Sequence, residues 1–490
     1  MLYLIPFLIS FIEIVNAVTV PQVKTTADDL SNKYLVTSLP GMESLPKDYS
    51  KPIMYAGEIQ LYPQNDSNYF FWKFIDSAKP KGSKNITTFW LNGGPGCSSL
   101  EGAFLENGPY RISKSLKLEV NNGSWHKVSD MIYVDQPVGT GFSFANKDIY
   151  LSELDQVAQY FIKFLEKYFE IFPQDLKNDL YLSGESYAGQ YIPYIANAIL
   201  KRNANLPNDK KFNLKSILLG NGAVSPDEQS SSFVPFFQEK NLINVNDKSN
   251  RYLQNVVLPE YESCKDTIQS QNVSDTTIGE ANGDDCSRLL DDLLYVTRNK
   301  SAPTNQQCIN VYDYTLRDSY PSCGGNFPPT SSYLTSYLNQ PSVIQSINVN
   351  KTISWQACSS QTYNLFSAIN SKPSVTILPD ILKLIPIVLY SGADDIICNT
   401  KGVIGYLQKM KWQGSIGFTD VNKTSPWIVG NEKAGWVLQE RNLTFVNVFN
   451  ASHLVPYSQP LISRSLFDFV LNTFSKKIVN GETNYISSKI

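Results

Sequence analysis

Gly184-Glu185-Ser186-Tyr187-Ala188-Gly189 follows an apolar run, Leu180, Tyr181 and Leu182, and leads into residues 190–200, whose pattern predicts a helix. A strand that turns sharply into a helix lifts a serine hydroxyl above the sheet edge and leaves the first N–H groups of the helix free for an oxyanion. The stretch therefore reads as a nucleophile elbow with Ser186 at its tip. Its usual form is Gly-x-Ser-x-Gly; here Ala188 holds the last position and the glycine comes one residue later. A base and an acid are then required from elsewhere in the chain.

Both flanks of the elbow alternate strands with helices. On the N-terminal side, residues 53–61 and 69–74 predict a hairpin. Residues 87–91 predict a buried strand running into Asn92-Gly93-Gly94-Pro95-Gly96-Cys97-Ser98-Ser99, where glycines let backbone approach a ligand closely. Another strand is expected at 131–135. Leu154, Val157, Phe161, Leu165, Tyr168 and Phe172 then recur at helical steps as far as Pro173. On the C-terminal side the pattern predicts strands at 216–219, 387–390 and 443–449 and helices at 401–410 and 461–474. Such alternation predicts a mainly parallel sheet covered by helices on both faces, and with the elbow and the residue order given below it reads as an α/β-hydrolase fold. Residues 227–373 loosen the pattern and hold five of the seven cysteines, which marks an inserted cap. The expected division is a signal peptide at 1–17, a first core part at 18–226, the cap at 227–373 and a second core part at 374–490.

The chain has only two histidines. His126, in Trp125-His126-Lys127, follows a glycosylation acceptor and is expected in a surface loop. His453 follows the strand at 443–449 and is the better base for Ser186. Asp395, after the strand at 387–390, supplies the acid, with the adjacent Asp394 as competitor. Ser186, Asp395, His453 is then the chain order of α/β-hydrolases, and all three follow strands, where open parallel sheets gather their sites. In this constellation His453 takes the serine proton and returns it to the leaving amine while Asp395 holds the imidazole.

At 490 residues, 42% hydrophobic and 12% aromatic, the chain can bury a large core, and its net charge of −3 is scattered, which argues against a nucleic-acid partner. Residues 1–17 read as a signal peptide ending in Val15-Asn16-Ala17. Nine Asn-x-Ser/Thr acceptors agree with a secretory route: Asn65, Asn85, Asn122, Asn272, Asn299, Asn350, Asn422, Asn442 and Asn450, the last of them close to the expected site. No later run reaches ~18 to 20 apolar residues, so no membrane span is expected and the mature protein should be soluble. Seven cysteines, at 97, 264, 286, 308, 323, 358 and 398, predict three disulfides and one free thiol in an oxidising lumen without fixing the pairing. With two histidines and oxidised cysteines no metal site is supported, and no cofactor is implied.

Residues 90–99, 184–189, 394–399 and 450–456 together resemble the serine carboxypeptidase family, and the similarity extends over nearly the whole mature chain. Within that family the chain looks most like the branch that trims basic residues from peptide ends. The resemblance implies Ser186, Asp395 and His453 as the triad and the N–H groups of Gly94 and Tyr187 as the oxyanion hole. It implies Asn92, the N–H of Gly93, Glu106 and Glu185 as the holder of the substrate's terminal carboxylate. Glu101 and Leu454 would line the pocket for the departing residue, an acid there favouring Lys or Arg. A carboxylate meeting two carboxyls needs shared protons, hence a preference for acid. The resemblance also implies a Cys97–Cys358 disulfide, a buried free thiol at Cys398, and nested pairs 264 with 323 and 286 with 308.

The implied function is release of C-terminal Lys or Arg from peptides, as in precursor or pheromone processing. The alternatives are a broad degradative carboxypeptidase, or an acyltransferase or esterase on the same fold. Relatives in that branch continue into a membrane span and an acidic tail that this sequence does not show. Trans-Golgi, vacuole and the cell exterior therefore all stay open as destinations.

Overall fold

The computed structural model of the chain describes residues 27–487 apart from 147–148, 271–275, 282–283, 350–352, 472–475 and 480–481. The expected signal peptide and the acceptors Asn272 and Asn350 lie outside the described residues.

Eight strands form the centre of one large sheet: β1 (Ile53–Tyr62), β2 (Ser67–Ile75), β3 (Ile86–Leu91), β4 (Asp130–Val134), β5 (Asp179–Glu185), β6 (Leu214–Gly220), β7 (Ile387–Gly392) and β8 (Leu443–Val448). Their order is β1-β2-β4-β3-β5-β6-β7-β8. The hairpin β1–β2 and the β2–β4 pair are antiparallel; every later pair in that order is parallel. Beyond β8 the sheet continues through Glu432–Glu440, Ser425–Val429, Glu482–Ser487 and Lys476–Val479.

Alternation along the strands feeds two cores. Phe89, Leu91, Ile132 and Val134 face one side, where they meet Phe161, Leu165 and Tyr168 of helix α1 (Leu154–Ile171) and Ile192 and Ile195 of helix α2 (Ala188–Ala204). Trp90, Met131 and Tyr133 face the other side, against Trp72, Trp125 and Phe467. Each such buried side chain contributes about 1.5–3 kcal/mol from area alone. Helix α1 starts where the Glu153 side chain accepts from the backbone of Gln156 and the Gln156 side chain accepts in return, a capping box; Pro173 follows its end.

Between β6 and β7 no described residue joins this sheet. Helices α3 (Leu258–Ser270) and α4 (Asp284–Val296) and the hairpin Cys308–Asn310 with Asp313–Asp318 build a third core around Phe237, Leu253, Val257, Leu289 and Ile309. Ile396, from the loop after β7, is buried in that core, so the cap packs onto a site loop. Helix α5 (Thr400–Lys409) follows, and α6 (Pro460–Leu471) comes after β8.

Two expectations need correction. The nested cysteine pairs do not form: Cys264 bonds Cys286 and Cys308 bonds Cys323. The cause is local packing, because α3 lies against α4 and brings Cα264 to 4.9 Å from Cα286, while the hairpin returns the chain so that Cα308 and Cα323 are 5.3 Å apart. Nor is His126 in a surface loop. It is buried, its Nδ1 lies 2.6 Å from Ser124 Oγ, and burial followed by the Lys127 charge lowers its pKa to about 3. Trp125 draws the segment inward by stacking on Phe467 at 4.2 Å between ring centres.

Candidate active site

Parallel strands deliver their carboxyl ends to one edge, and there the predicted residues gather. Ser186 follows β5 directly, with φ 58°. A non-glycine residue in that region costs on the order of 1–3 kcal/mol and persists only when its surroundings hold it. Here the Ser186 N–H donates to Gly220 O at 3.1 Å, and Ser186 O accepts from Gly189 and Ala223 N–H at 2.9 Å each.

Asp395 and His453 come from the loops after β7 and β8. His453 Nδ1 is 2.9 Å from Asp395 Oδ2, and both side chains are buried. The carboxylate accepts three further bonds, from Asn221 Nδ2 at 2.6 Å, Ile397 N–H at 3.1 Å and Cys398 N–H at 3.2 Å. An acceptor-rich Asp395 fixes Nδ1 as the protonated nitrogen and leaves Nε2 as the basic one. Nε2 is buried with no hydrogen-bond partner among the described residues, and His453 opens onto the same pocket as Ser186. Asp394 is turned elsewhere: its N–H donates to Ala451 O, and its half-buried carboxyl faces Asp313 and Lys240.

The glycine loop after β3 packs directly on the elbow. A Cβ on Gly93 would lie 2.4 Å from Tyr187 N and 2.8 Å from Ser186 Cβ, so only glycine permits this approach. Asn92 Oδ1 accepts from Trp90 Nε1 at 2.7 Å and Gly102 N–H at 3.2 Å. Its amide nitrogen must then point the other way, where it donates to Glu106 Oε1 at 3.3 Å and Glu185 Oε1 at 3.1 Å. The second oxygen of each glutamate is buried without a partner among the described residues. Burial and the Glu106 charge hold the Glu185 carboxyl well above its usual range, and burial raises Glu106 as well. One Asn amide beside two carboxyls whose pKa values are both raised, so that they can share protons, suits a third carboxylate.

The pocket above these groups has a volume of about 360 Å³. Glu101, partly exposed, and Leu454 form part of its wall. Burial and the nearby Glu106 push the Glu101 pKa up to about 7, and Ser331 Oγ donates to its Oε1 at 3.3 Å. Tyr312, Phe327, Ser331 and Cys358 close the cap side. A hydroxyl, an imidazole and a carboxylate converging below a pocket of this kind can carry out acyl transfer on a peptide.

The sequence model of the family described as serine carboxypeptidase matches residues 45–473. The chain belongs to the serine carboxypeptidase family. It is 46% identical over 486 residues to the pheromone-processing carboxypeptidase of Candida tropicalis, covering 97% of this chain and 68% of that relative. To that of Lodderomyces elongisporus it is 47% identical over 480 residues, covering 96% and 68%. The crystal structure of a prohormone-processing carboxypeptidase from Saccharomyces cerevisiae matches with a TM-score of 0.87 at 38% identity, over 93% of this chain and 99% of that one. This carboxypeptidase is thus a serine-type hydrolase with the α/β-hydrolase fold.

Elsewhere in the carboxypeptidase, Cys97 bonds Cys358, and Ser98 N–H to Ala357 O at 2.8 Å and Ser359 N–H to Gly96 O at 2.9 Å flank the bridge. Cys398 is unpaired and buried, and burial keeps its thiol protonated. Asn85, Asn122, Asn299, Asn422, Asn442 and Asn450 are exposed, while Asn65 is partly buried with its Oδ1 accepting from Ser67 N–H. Two site residues escaped the sequence reading. Asn221 holds Asp395, and its position between two glycines at a strand end was the available signal. Tyr312 accepts the His453 N–H at 2.8 Å and sets its ring 5.2 Å from the imidazole, and nothing in the sequence around it marks that role.

Proposed function

We propose that Ser186 attacks the last peptide carbonyl with His453 as general base, and that Asp395 stabilises the imidazolium that results. The Gly94 and Tyr187 N–H groups receive the oxyanion. His453 then protonates the departing amino acid, and water repeats the sequence on the acyl-enzyme. Asn92, Gly93, Glu106 and Glu185 bind the substrate's carboxylate, which restricts cleavage to the C-terminal bond. The observation that carries this reading is the unpartnered His453 Nε2 on the same pocket as Ser186 and the Glu106–Glu185 pair.

The departing residue is Lys or Arg, drawn by Glu101; the enzyme acts in precursor processing, its relatives being named for the processing of pheromones and a prohormone. Residues 227–373 serve as a cap inserted into the core. The setting is the lumen of the secretory pathway: three disulfides support an oxidising compartment, and among the described residues no helix is long and apolar enough to cross a membrane.

Matched peptides ending in Lys, Arg, Leu and Lys-amide, assayed from about pH 4 to about pH 8, test this reading. Lys and Arg should be released fastest in acid, their cation favouring the ionised Glu101 once bound, with release falling as pH rises and the Glu106–Glu185 pair gives up its proton. The amide should be spared. Glu101→Gln should narrow the Lys-to-Leu ratio by about 10- to 100-fold, the worth of a hydrogen-bonded charge contact. An unchanged ratio removes Glu101 from specificity, and equal turnover of acid and amide removes the carboxylate site.

A further inference from the structure

Asp135 lies just beyond the end of β4, has no solvent exposure, and lines neither the pocket nor the triad. Its Oδ1 accepts from Ser98 Oγ at 2.6 Å and from Ser99 N–H at 2.9 Å, and its Oδ2 accepts from Phe142 N–H at 2.9 Å. Ser98 Oγ in turn accepts from Leu100 N–H at 3.2 Å and from Trp355 Nε1 at 3.0 Å, so its single proton is committed to Asp135. Ser99 Oγ donates to Val134 O at 2.6 Å and accepts from Asn92 N–H at 3.1 Å. A second loop seals the group: a Cβ on Gly141 would lie 2.0 Å from Asp135 Oδ2 and 2.8 Å from Ser98 Oγ.

The two serines are where the site's loop is held. On one side of them the chain carries Asn92, Gly93 and Gly94. On the other, Glu101 N–H donates to Ser98 O and Ala103 N–H to Ser99 O, starting the segment that carries Glu101 and Glu106. Trp355, through Ser98, adds the cap to the same group.

We propose that Asp135 is a positioning residue of the reaction: one buried carboxyl, by gathering Ser98, Ser99 and Phe142, holds the glycine loop so that the Gly94 N–H stays aimed at the oxyanion over Ser186. The proposal rests on the roles given above to Ser186 and Gly94. Burial, offset in part by the hydrogen bonds, holds the Asp135 carboxyl at about 7. Oδ1 accepts in either protonation state, so the anchor holds in acid. An amide is different, because its NH2 cannot accept from Phe142 N–H or from the serines, whichever way it turns.

The test compares Asp135→Asn, Ser98→Ala and Ser186→Ala in the full chain on a peptide ending in Lys, with thermal unfolding measured on each. Asp135→Asn should lower kcat at least about tenfold with KM changing by a smaller factor, since losing one oxyanion donor outright costs about 10²–10³ in kcat while Asn92 keeps its bonds to Trp90 and Gly102. Affinity for a peptide aldehyde, which forms the tetrahedral adduct, should fall by a similar factor, while affinity for a product-like peptide stays. A lower Tm with kcat and aldehyde affinity intact means packing alone and overturns the proposal. Should Asp135→Asn not fold, Ser98→Ala decides: a several-fold fall in kcat at constant KM supports the proposal, and unchanged kcat rejects it. Turnover surviving in Ser186→Ala would refute the nucleophile itself, a result separable from any behaviour of Asp135.

Discussion

The two sides of the pocket are built in different ways. On the sheet side, Asn92, Ser186, Asp395 and His453 each stand a few residues past a strand end, and parallel register alone brings them together. On the cap side, Tyr312, Phe327, Ser331 and Cys358 belong to segments outside the sheet, held by one disulfide, the Tyr312 carbonyl and the contact of Ser331 with Glu101. The sheet side carries the groups proposed to make and break bonds, placed by strand register. The cap side supplies walls, and through Tyr312 it also holds the backbone of His453. The difference separates groups set by strand register from groups set by the packing of the cap.

The sharpest way to break this division is Asp395→Asn. It keeps the shape of the site but removes the acceptor that orients His453, so kcat should fall by about 10⁴ with KM nearly constant. A loss confined to KM would mean that the sheet side selects rather than reacts. A second strike falls on the cap: replacing Cys97 and Cys358 together by serine should lower stability by about 2–5 kcal/mol, read by denaturant unfolding, with selectivity loosening more than kcat. Equal losses in both would show the two sides to be inseparable.

The smallest expected effect concerns pH. Glu101, Glu106, Glu185 and Asp135 all have pKa values raised by burial, Glu101 and Asp135 to about 7. Above the unfolded carboxyl values the native state then binds more protons than the unfolded chain, so stability is full in acid and declines as pH rises through about 7. Tm should drop by a few degrees across that range. A Tm that rises instead would show these carboxyls to be ionised and paired in the native protein.

The sheet side was also the legible side. Short apolar runs placed β3 to β8 to within about three residues at each end, because a buried parallel strand must be apolar on both faces. Ser186, Asp395 and His453 stood out because each sits in a distinctive turn after such a run. The cap was not readable in the same way. Cysteine pairing there depends on α3 lying against α4, a contact that no local pattern encodes. His126 was misplaced because polar neighbours suggested solvent, whereas Trp125 decides the course of that segment. Tyr312 and Asp135 act through backbone and buried bonds, which composition does not reveal.

The bridge between Cys97 and Cys358 spans 261 residues. During synthesis Cys97 emerges long before its partner, and Cys264, Cys286, Cys308 and Cys323 all appear in the interval. Any premature bond to one of these must be exchanged before the correct one can close, a step that runs over seconds to hours depending on oxidant and isomerase. Closure of this bond is therefore a late event in the life of the molecule. Until it occurs, the loop that would receive a substrate lacks its covalent tie to the cap and is held there by hydrogen bonds alone.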